Sequence, residues 1–189
     1  MISKAFASLI CLALSASQLI AQESKNYIWW NPATNVFPTI EGQAWPETGK
    51  NIYNRLPAKV ELLVRKEVWE LAKHTAGMYI KFRSNAKNII VRYGTTNKAN
   101  FAMQHMPGTG VSGVDLYAID HYGHWVWAPG KRSFGDTITY KFLNMKVDSG
   151  FPNAEYEFRL FLPLYNGVTW MEIGIPEGNT FQAIPLFQE

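Results

Sequence analysis

Apolar and polar residues alternate over several short segments of this chain, the pattern of strands that bury one face. Met78, Ile80 and Phe82 alternate with polar or longer side chains, and an apolar run follows at residues 89–93. Residues 84–88, which lie between these segments, have a composition typical of a turn. The pattern predicts a β-hairpin over residues 77–93, with one face buried.

Two further hairpins are predicted downstream. Residues 114–119 and 125–127 flank turn-forming residues at 120–123. The last predicted hairpin joins residues 156–164 to 169–175 through a turn at residues 165–168. This turn contains Asn-Gly, the strongest short hairpin signal, because both residues accept a positive φ.

The remaining segments are less regular. Residues 27–55 alternate tryptophans with turn formers, which predicts short strands and loops without a helix. Apolar residues at 60–74 recur at spacings of three and four, which favours at most a short helix, although residues 65–71 also fit a strand. Strands about every ten residues predict an all-β fold, a jelly-roll-like β-sandwich of antiparallel strands.

The first 21 residues have the character of a signal peptide. Lys4 provides a positive start, residues 5–20 are apolar or small, and Ala21 is a suitable cleavage point. The run is too short for a membrane span, and it contains Cys11, the only cysteine. We therefore expect one domain over residues 22–189, exported to the periplasm or the extracellular space, with no thiol and no membrane association after cleavage.

Composition narrows the classes of partner. The formal net charge is +3, and +2 without Lys4, which is too balanced to indicate binding to nucleic acid or to an anionic membrane. Aromatic residues make up 14% of the chain, with seven tryptophans. Trp125 and Trp127 lie two apart and would share one strand face. They could form a carbohydrate platform, fill the core or pack at a domain interface.

The segment at residues 100–117 contains the most informative polar residues. Residues 107–110 include a proline and two glycines and predict an ordered turn, and Asp115 follows in a β-rich stretch with apolar neighbours. A half-buried acid must face water or find a donor. Asp115 could accept hydrogen bonds from loop amides at 108–112, with His105 packed alongside. Alternatively, His105, Asp115 and Tyr117 could belong to a binding groove or a domain interface.

Residues 113–117, Gly-Val-Asp-Leu-Tyr, with His-Met-Pro at 105–107, resemble the signature of the β-sandwich domain that precedes the catalytic domain in bacterial SGNH-type (GDSL-like) esterases. Other blocks resemble the same domain in the same order, at residues 54–58, 68–71, 76–77 and 162–168. The resemblance covers residues 27–175. It implies a jelly-roll sandwich followed directly by a hydrolase domain, which we expect to begin after Glu189.

We expect no catalytic set, metal site or cofactor within the chain. Residues 134–139 contain Gly-Asp-Thr where an SGNH enzyme carries Gly-Asp-Ser, but Thr137 has no histidine after His124 to act as its base. Ser112, in a Gly-Val-Ser-Gly segment, and Ser149, in an Asp-Ser-Gly turn, lack a base as well. A hairpin tip is a simpler interpretation of Asp120, His121 and His124 than a set of metal ligands.

The favoured hypothesis is a non-catalytic accessory domain of an exported SGNH-type esterase, which buttresses the hydrolase domain and its cleft. By resemblance, the whole enzyme would hydrolyse esters, in particular those of acylated carbohydrates, with a Ser–His–Asp set located beyond this chain. One alternative is a free-standing secreted carbohydrate-binding module. The other is that the chain is itself an esterase.

Overall fold

The computed structural model describes residues 26–46, 52–146 and 154–186. The predicted signal peptide, Cys11 and the Asp-Ser-Gly turn at 148–150 lie outside these ranges. None of the helices in the described ranges is long and apolar enough to span a membrane. The elements, in chain order, are β1 (Tyr27–Trp30), β2 (Ile40–Glu41), α1 (Lys66–Ala72), β3 (Tyr79–Ser84), β4 (Ile89–Thr95), α2 (Gly108–Val111), β5 (Asp115–Ile119), β6 (Trp125–Ala128), β7 (Lys131–Ser133), β8 (Ile138–Phe142), β9 (Tyr156–Phe161), β10 (Val168–Pro176) and β11 (Phe181–Ala183), with short 3-10 turns at Pro32–Thr34 and Ala58–Leu63.

The strands form two antiparallel sheets. Sheet A has the order β1-β10-β4-β8-β7, and sheet B has the order β11-β3-β9-β5-β6 with β2 also paired to β3. Phe82, Phe158 and Leu160 of sheet B and Tyr93 and Met171 of sheet A are fully buried in one hydrophobic cluster. Each such side chain contributes about 1.5–3 kcal/mol on burial. The structure confirms the predicted β-sandwich, whereas the jelly-roll topology stays a prediction.

Two of the three predicted hairpins are wrong. β3 and β4 belong to different sheets, and so do β9 and β10. In each case the chain passes from one sheet to the other, so that the apolar faces of the two consecutive strands point toward each other across the core. Alternation shows that one face of a strand is buried, but it does not show which strand lies beside it. The third hairpin, β5–β6, is confirmed, and Gly123 at its turn has φ of 85°.

The ambiguous segment at residues 60–74 contains a helix. Helix α1 buries Trp69 and Ala72, so the strand interpretation is wrong and the short helix is confirmed. The predicted glycine-rich turn at residues 107–110 is largely helical, because Pro107 stands at the start of the single-turn helix α2. A 3-10 turn at Pro32–Thr34 interrupts the predicted strands and loops of the amino-terminal region, with the Asn31 side chain accepting a hydrogen bond from the amide of Ala33.

The two ends of the sandwich differ in character. We call the end that carries α1, α2 and the loop at 162–167 the helical end, and the opposite end, with the turns at 84–88, 120–124 and 177–180, the turn end. A shallow cleft at the turn end is lined mostly by polar side chains, among them Asn85, Lys87 and Glu177. At the helical end Leu71, Leu164 and Tyr165 are exposed. The 3-10 turn that leads into α1 exposes Leu62 and Leu63, which retain 95% and 80% of their accessible surface.

Strand β11 runs toward the helical end. It pairs antiparallel with β3, from Phe181 opposite Ser84 to Ala183 opposite Phe82. The amide of Ile184 then donates a hydrogen bond to the carbonyl oxygen of Lys81. Since Lys81 precedes Phe82 in β3, which begins near α1, the last described residues point toward the helical end.

Candidate functional site

Four of the five predicted site residues come together on the outer face of sheet B. Tyr117 of β5 lies opposite Trp127 of β6, and Ile119 lies opposite Trp125. Asp115 lies on the same face as Tyr117 because alternate residues of a strand share a face. His105 is apart from this group: it is exposed in the loop before α2 and is not among the residues that line the two clefts described below.

Two clefts meet at Asp115. The first has a volume of about 380 Å³ and is lined by Tyr117, Trp125, Arg159 and Phe161, among others. The second, of about 500 Å³, has Trp127, Arg132 and Tyr140 in its wall. We call the first the Arg159 cleft. Asp115, Thr109 and Gly110 contribute to both clefts, so the start of β5 and helix α2 form the ridge between them.

The carboxylate of Asp115 is exposed. Its neighbours Val114 and Leu116 are buried, so the alternation of the strand directs the acid away from the core. Oδ1 accepts a hydrogen bond of 3.2 Å from Nε1 of Trp127. The expectation that Asp115 accepts hydrogen bonds from the amides of residues 108–112 is therefore wrong.

The loops at the helical end are joined instead by Asn166, part of the Asn-Gly pair that predicts a hairpin turn at residues 165–168. Asn166 is buried, and neither it nor Gly167 has a positive φ. Its amide nitrogen donates to the carbonyl oxygen of Asn97 and to Oγ of Ser112. Ser112 in turn donates to the carbonyl oxygen of Phe101 and accepts a hydrogen bond at its own carbonyl from the Tyr93 hydroxyl. No simple sequence signal distinguishes this buried Asn-Gly from an exposed turn.

Electrostatics in the wall of the second cleft favour a neutral phenol. Burial raises the pKa of Tyr140 to about 12, the nearby charge of Arg132 lowers it, and the charge of Asp115 raises it. The hydroxyl of Tyr140 therefore remains protonated at neutral pH. Burial raises the pKa of Tyr93 as well, which keeps its hydroxyl a donor to Ser112.

The candidate nucleophiles lie in unfavourable surroundings. Asp136 and Thr137 are exposed in the loop between β7 and β8, and no hydrogen bond or ion pair joins them to a histidine in the described part of the chain. The hydroxyl of Ser112 is buried and donates to a carbonyl oxygen, so no base is placed to activate it. The geometry therefore assigns these residues to loop structure.

Asp120, His121 and His124 form the tip of the β5–β6 hairpin. Oδ1 of Asp120 accepts hydrogen bonds from the amides of Tyr122 and His124. The hydrogen bond from the His124 amide is the largest influence that lowers the pKa of Asp120. Nδ1 of His124 lies 3.4 Å from the second carboxylate oxygen. Residues 26–46, 52–146 and 154–186 contain no cluster of three potential metal ligands.

Replacing Asp115 with asparagine is expected to change the free energy of unfolding by less than about 1 kcal/mol, because the carboxylate is exposed and asparagine can still accept the hydrogen bond from Trp127. Thermal unfolding of the two proteins measures this. Leu116→Ala, one residue along the same strand, is the control for a core position and should cost about 2–5 kcal/mol. A loss above about 2 kcal/mol for Asp115→Asn would instead show that the acid has a structural role.

Comparisons with known proteins agree with this fold. A protein from Bacteroides ovatus named for its likeness to GDSL lipases has a TM-score of 0.70 and 22% identity, with 87% of this chain and 45% of that one covered. The salicylyl-acyltransferase SsfX3 of a tetracycline biosynthetic pathway has a TM-score of 0.56 and 16% identity, with 88% and 44% covered. This chain therefore spans less than half the length of either protein.

No curated protein matches the chain. Residues 27–181 match the GxDLY family, described as the N-terminus of SGNH hydrolase-type esterases. The match spans strands β1 to β10, the ridge at Asp115 and the Gly-Val-Asp-Leu-Tyr segment itself. The chain therefore belongs to the GxDLY family of N-terminal domains of SGNH hydrolase-type esterases.

Proposed function

We propose that this chain is an exported accessory domain that docks to an SGNH hydrolase domain through its helical end. The observation that carries the proposal is the contrast between a polar turn end and a helical end with exposed leucines. Large apolar side chains grouped on one part of a surface commonly mark an interaction site. The direction of β11 supports the same choice, since a domain attached after it would lie at the helical end.

The surface around α1 offers a place for such contact. Val68 and Leu71 of α1 line a shallow cleft of about 610 Å³ together with Leu56 and Arg55. The carboxyl end of helix α1 is held in place because Arg55 donates hydrogen bonds to the carbonyl oxygens of Leu71 and His74. A fixed apolar surface loses little conformational entropy when a partner covers it.

In this proposal the ester chemistry belongs to the hydrolase domain. A Ser–His–Asp set there would hydrolyse the ester, with acylated carbohydrate as the substrate class, and this chain would support that domain and shape one wall of its cleft. The ridge at Asp115 is suited to this role because it lies beside α2, at the helical end. Family membership over residues 27–181 supports this division of labour.

The reading frame provides the first test. Sequencing past the codon for Glu189 should reveal an apolar strand followed by Gly-x-Ser, the block in which SGNH enzymes carry their nucleophile. A reading frame that stops at Glu189, with no hydrolase encoded beside it, would contradict the proposal.

The exposed leucines predict self-association of the isolated chain. Sedimentation velocity should show reversible association that grows with concentration, because without a hydrolase domain these side chains can be buried only against another copy. Leu71→Asp should weaken the association about tenfold or more, since a buried carboxylate is costly. Tyr122→Asp, which adds the same charge at an exposed aromatic of the turn end, is the matched control and should have no effect. A monodisperse monomer at high concentration would count against the docking surface.

A free-standing carbohydrate-binding module is the second candidate. Trp125 and Trp127 favour it, because they retain 37% and 52% of their accessible surface and lie in the walls of the two clefts. Exposed indole rings beside polar groups are the common platform for sugars. Titration with neutral oligosaccharides, followed by tryptophan fluorescence, tests this candidate.

A further inference from the structure

Arg159 is the one basic residue of β3 and β9 without a carboxylate partner in the described ranges. Lys81 lies 2.9 Å from Glu41, and Arg83 lies 3.6 Å from Glu157. Arg159 lies opposite Lys81 on one side and opposite Tyr117 on the other, in the middle of the outer face of sheet B. It therefore occupies a central position on this face, yet no carboxylate in the described ranges forms an ion pair with it.

Two aromatic rings hold the guanidinium in place. Its central carbon lies 4.0 Å from the ring centre of Trp125 and 5.6 Å from that of Tyr79. Such contacts stabilise a cation by about 0.5–2 kcal/mol and restrict its motion. A long, flexible side chain is thus fixed in the wall of the Arg159 cleft before any ligand arrives.

The guanidinium has unused hydrogen-bonding capacity. Its Nε is buried, and no acceptor within hydrogen-bonding distance is found in the described ranges. Nε is enclosed by protein and cannot reach a ligand, whereas the terminal nitrogens of this cleft residue have no hydrogen-bond partner in the described ranges and can donate to one. A carboxylate is the natural acceptor, because its two oxygens match the parallel N–H groups of a guanidinium.

The rest of the cleft fits a small ring with hydroxyl groups. Tyr117 and Phe161 pack edge to face in its wall, with ring centres 5.7 Å apart, and Trp125 remains partly exposed. The volume of about 380 Å³ is within the range of small-molecule sites, about 300–1,000 Å³. Asp115 uses one carboxylate oxygen to accept the Trp127 hydrogen bond, so the other can accept a hydrogen bond from a ligand hydroxyl.

We propose that the Arg159 cleft binds a hexuronate unit of an acidic saccharide, with the ligand carboxylate on Arg159, a sugar hydroxyl on Asp115 and the ring against the aromatic wall. The charge of the cleft selects among anions. Asp115 offsets the charge of Arg159, so a phosphate dianion meets no net positive charge, whereas a singly charged, hydroxylated ring uses both groups. Binding of this ligand in the Arg159 cleft does not depend on docking through the helical end.

Isothermal titration calorimetry with simple glycosides tests the proposal on the purified chain. Methyl β-D-glucuronide should bind with a Kd in the millimolar range, and methyl β-D-glucoside at least about tenfold more weakly, the difference expected for one charge-assisted hydrogen bond. Inorganic phosphate should not compete. Equal affinity for the two glycosides, phosphate competition, or no binding of the glucuronide would each overturn the assignment.

Substitution of the guanidinium provides the matched comparison. Arg159→Gln should weaken glucuronide binding at least about tenfold. Arg83→Gln removes the same charge from the same face outside the cleft, and it should leave the affinity unchanged. Thermal unfolding of both variants identifies any loss of structure.

Trp125→Phe keeps an apolar ring but alters the stacking on Arg159, so it should weaken binding less than Arg159→Gln. Glucuronide binding retained in Arg159→Gln would overturn the proposal.

Discussion

Replacing Asn166 with alanine is expected to lower the free energy of unfolding by about 3–5 kcal/mol, because several buried polar groups lose their partners together. The amide oxygen of Asn166 accepts hydrogen bonds from the amides of Asn97 and Gly167 and from Oγ1 of Thr96, each at 3.0 Å. Its nitrogen donates to Asn97 and Ser112. Alanine restores none of these contacts, and water has little access to the site.

Thermal unfolding should show a fall in Tm of roughly 10 °C for Asn166→Ala. Asn100→Ala is the control: Asn100 is exposed, and its side chain accepts a single local hydrogen bond from the amide of Ala102. It should cost about 0.5 kcal/mol or less. If the two variants lost similar stability, the network around Asn166 would not hold the helical end together.

Replacing Gly113 with alanine is expected to cost about 3 kcal/mol or more, beyond the usual range for an added methyl group, because backbone stands in the way. A Cβ at this position would overlap the carbonyl oxygen of Thr109 and the hydroxyl oxygen of Tyr140. The first obstacle belongs to helix α2 and the second to a side chain packed in the core. Neither can move without shifting the ridge at Asp115.

Chemical denaturation measures the loss, and Gly135→Ala is the matched control. The nearest heavy atom to a Cβ at Gly135 would be the carbonyl oxygen of Thr137 at 3.8 Å, an ordinary contact. Gly135→Ala should therefore be neutral or slightly stabilising, by up to about 1 kcal/mol. An equally mild effect of Gly113→Ala would mean that α2 can move away from β5. Steric crowding would then not explain why glycine occupies position 113 of the Gly-Val-Asp-Leu-Tyr segment.

The fold class could be predicted from the sequence, but the strand partners could not. Alternation at Ile80 and Phe82 identifies a strand with one buried face, and the structure confirms that strand. The same alternation arises whether the next strand lies beside it or across the core. At residues 120–123 the turn-forming residues were sufficient to predict that β5 and β6 pair, because Gly123 adopts the positive φ that this hairpin requires.

The candidate site was predicted in part. The shared face of Trp125 and Trp127 could be predicted, because residues two apart on a strand share a face. The structure was needed to place Asp115 and Tyr117 beside them around two adjoining clefts. Arg159 was missed, since a basic residue in an alternating strand is normally a solvated one. Its significance depends on Trp125 and Tyr79, which come from two other strands, so only tertiary structure reveals it.

Because consecutive strands cross between the two sheets, the strands that pair within each sheet are far apart in sequence, and this affects how the chain folds. Tyr27 of β1 pairs opposite Pro176 of β10, and Tyr79 of β3 pairs opposite Phe161 of β9. Because such partners are far apart in sequence, loops must close at an entropic cost before the core forms, and folding should take milliseconds to seconds. During synthesis β1 and the β9-facing edge of β3 stay unpaired until the later strands emerge, although β2 can already pair with the other edge of β3. We expect chaperones to bind the nascent chain during this interval, even though the core of the finished sandwich is fully buried.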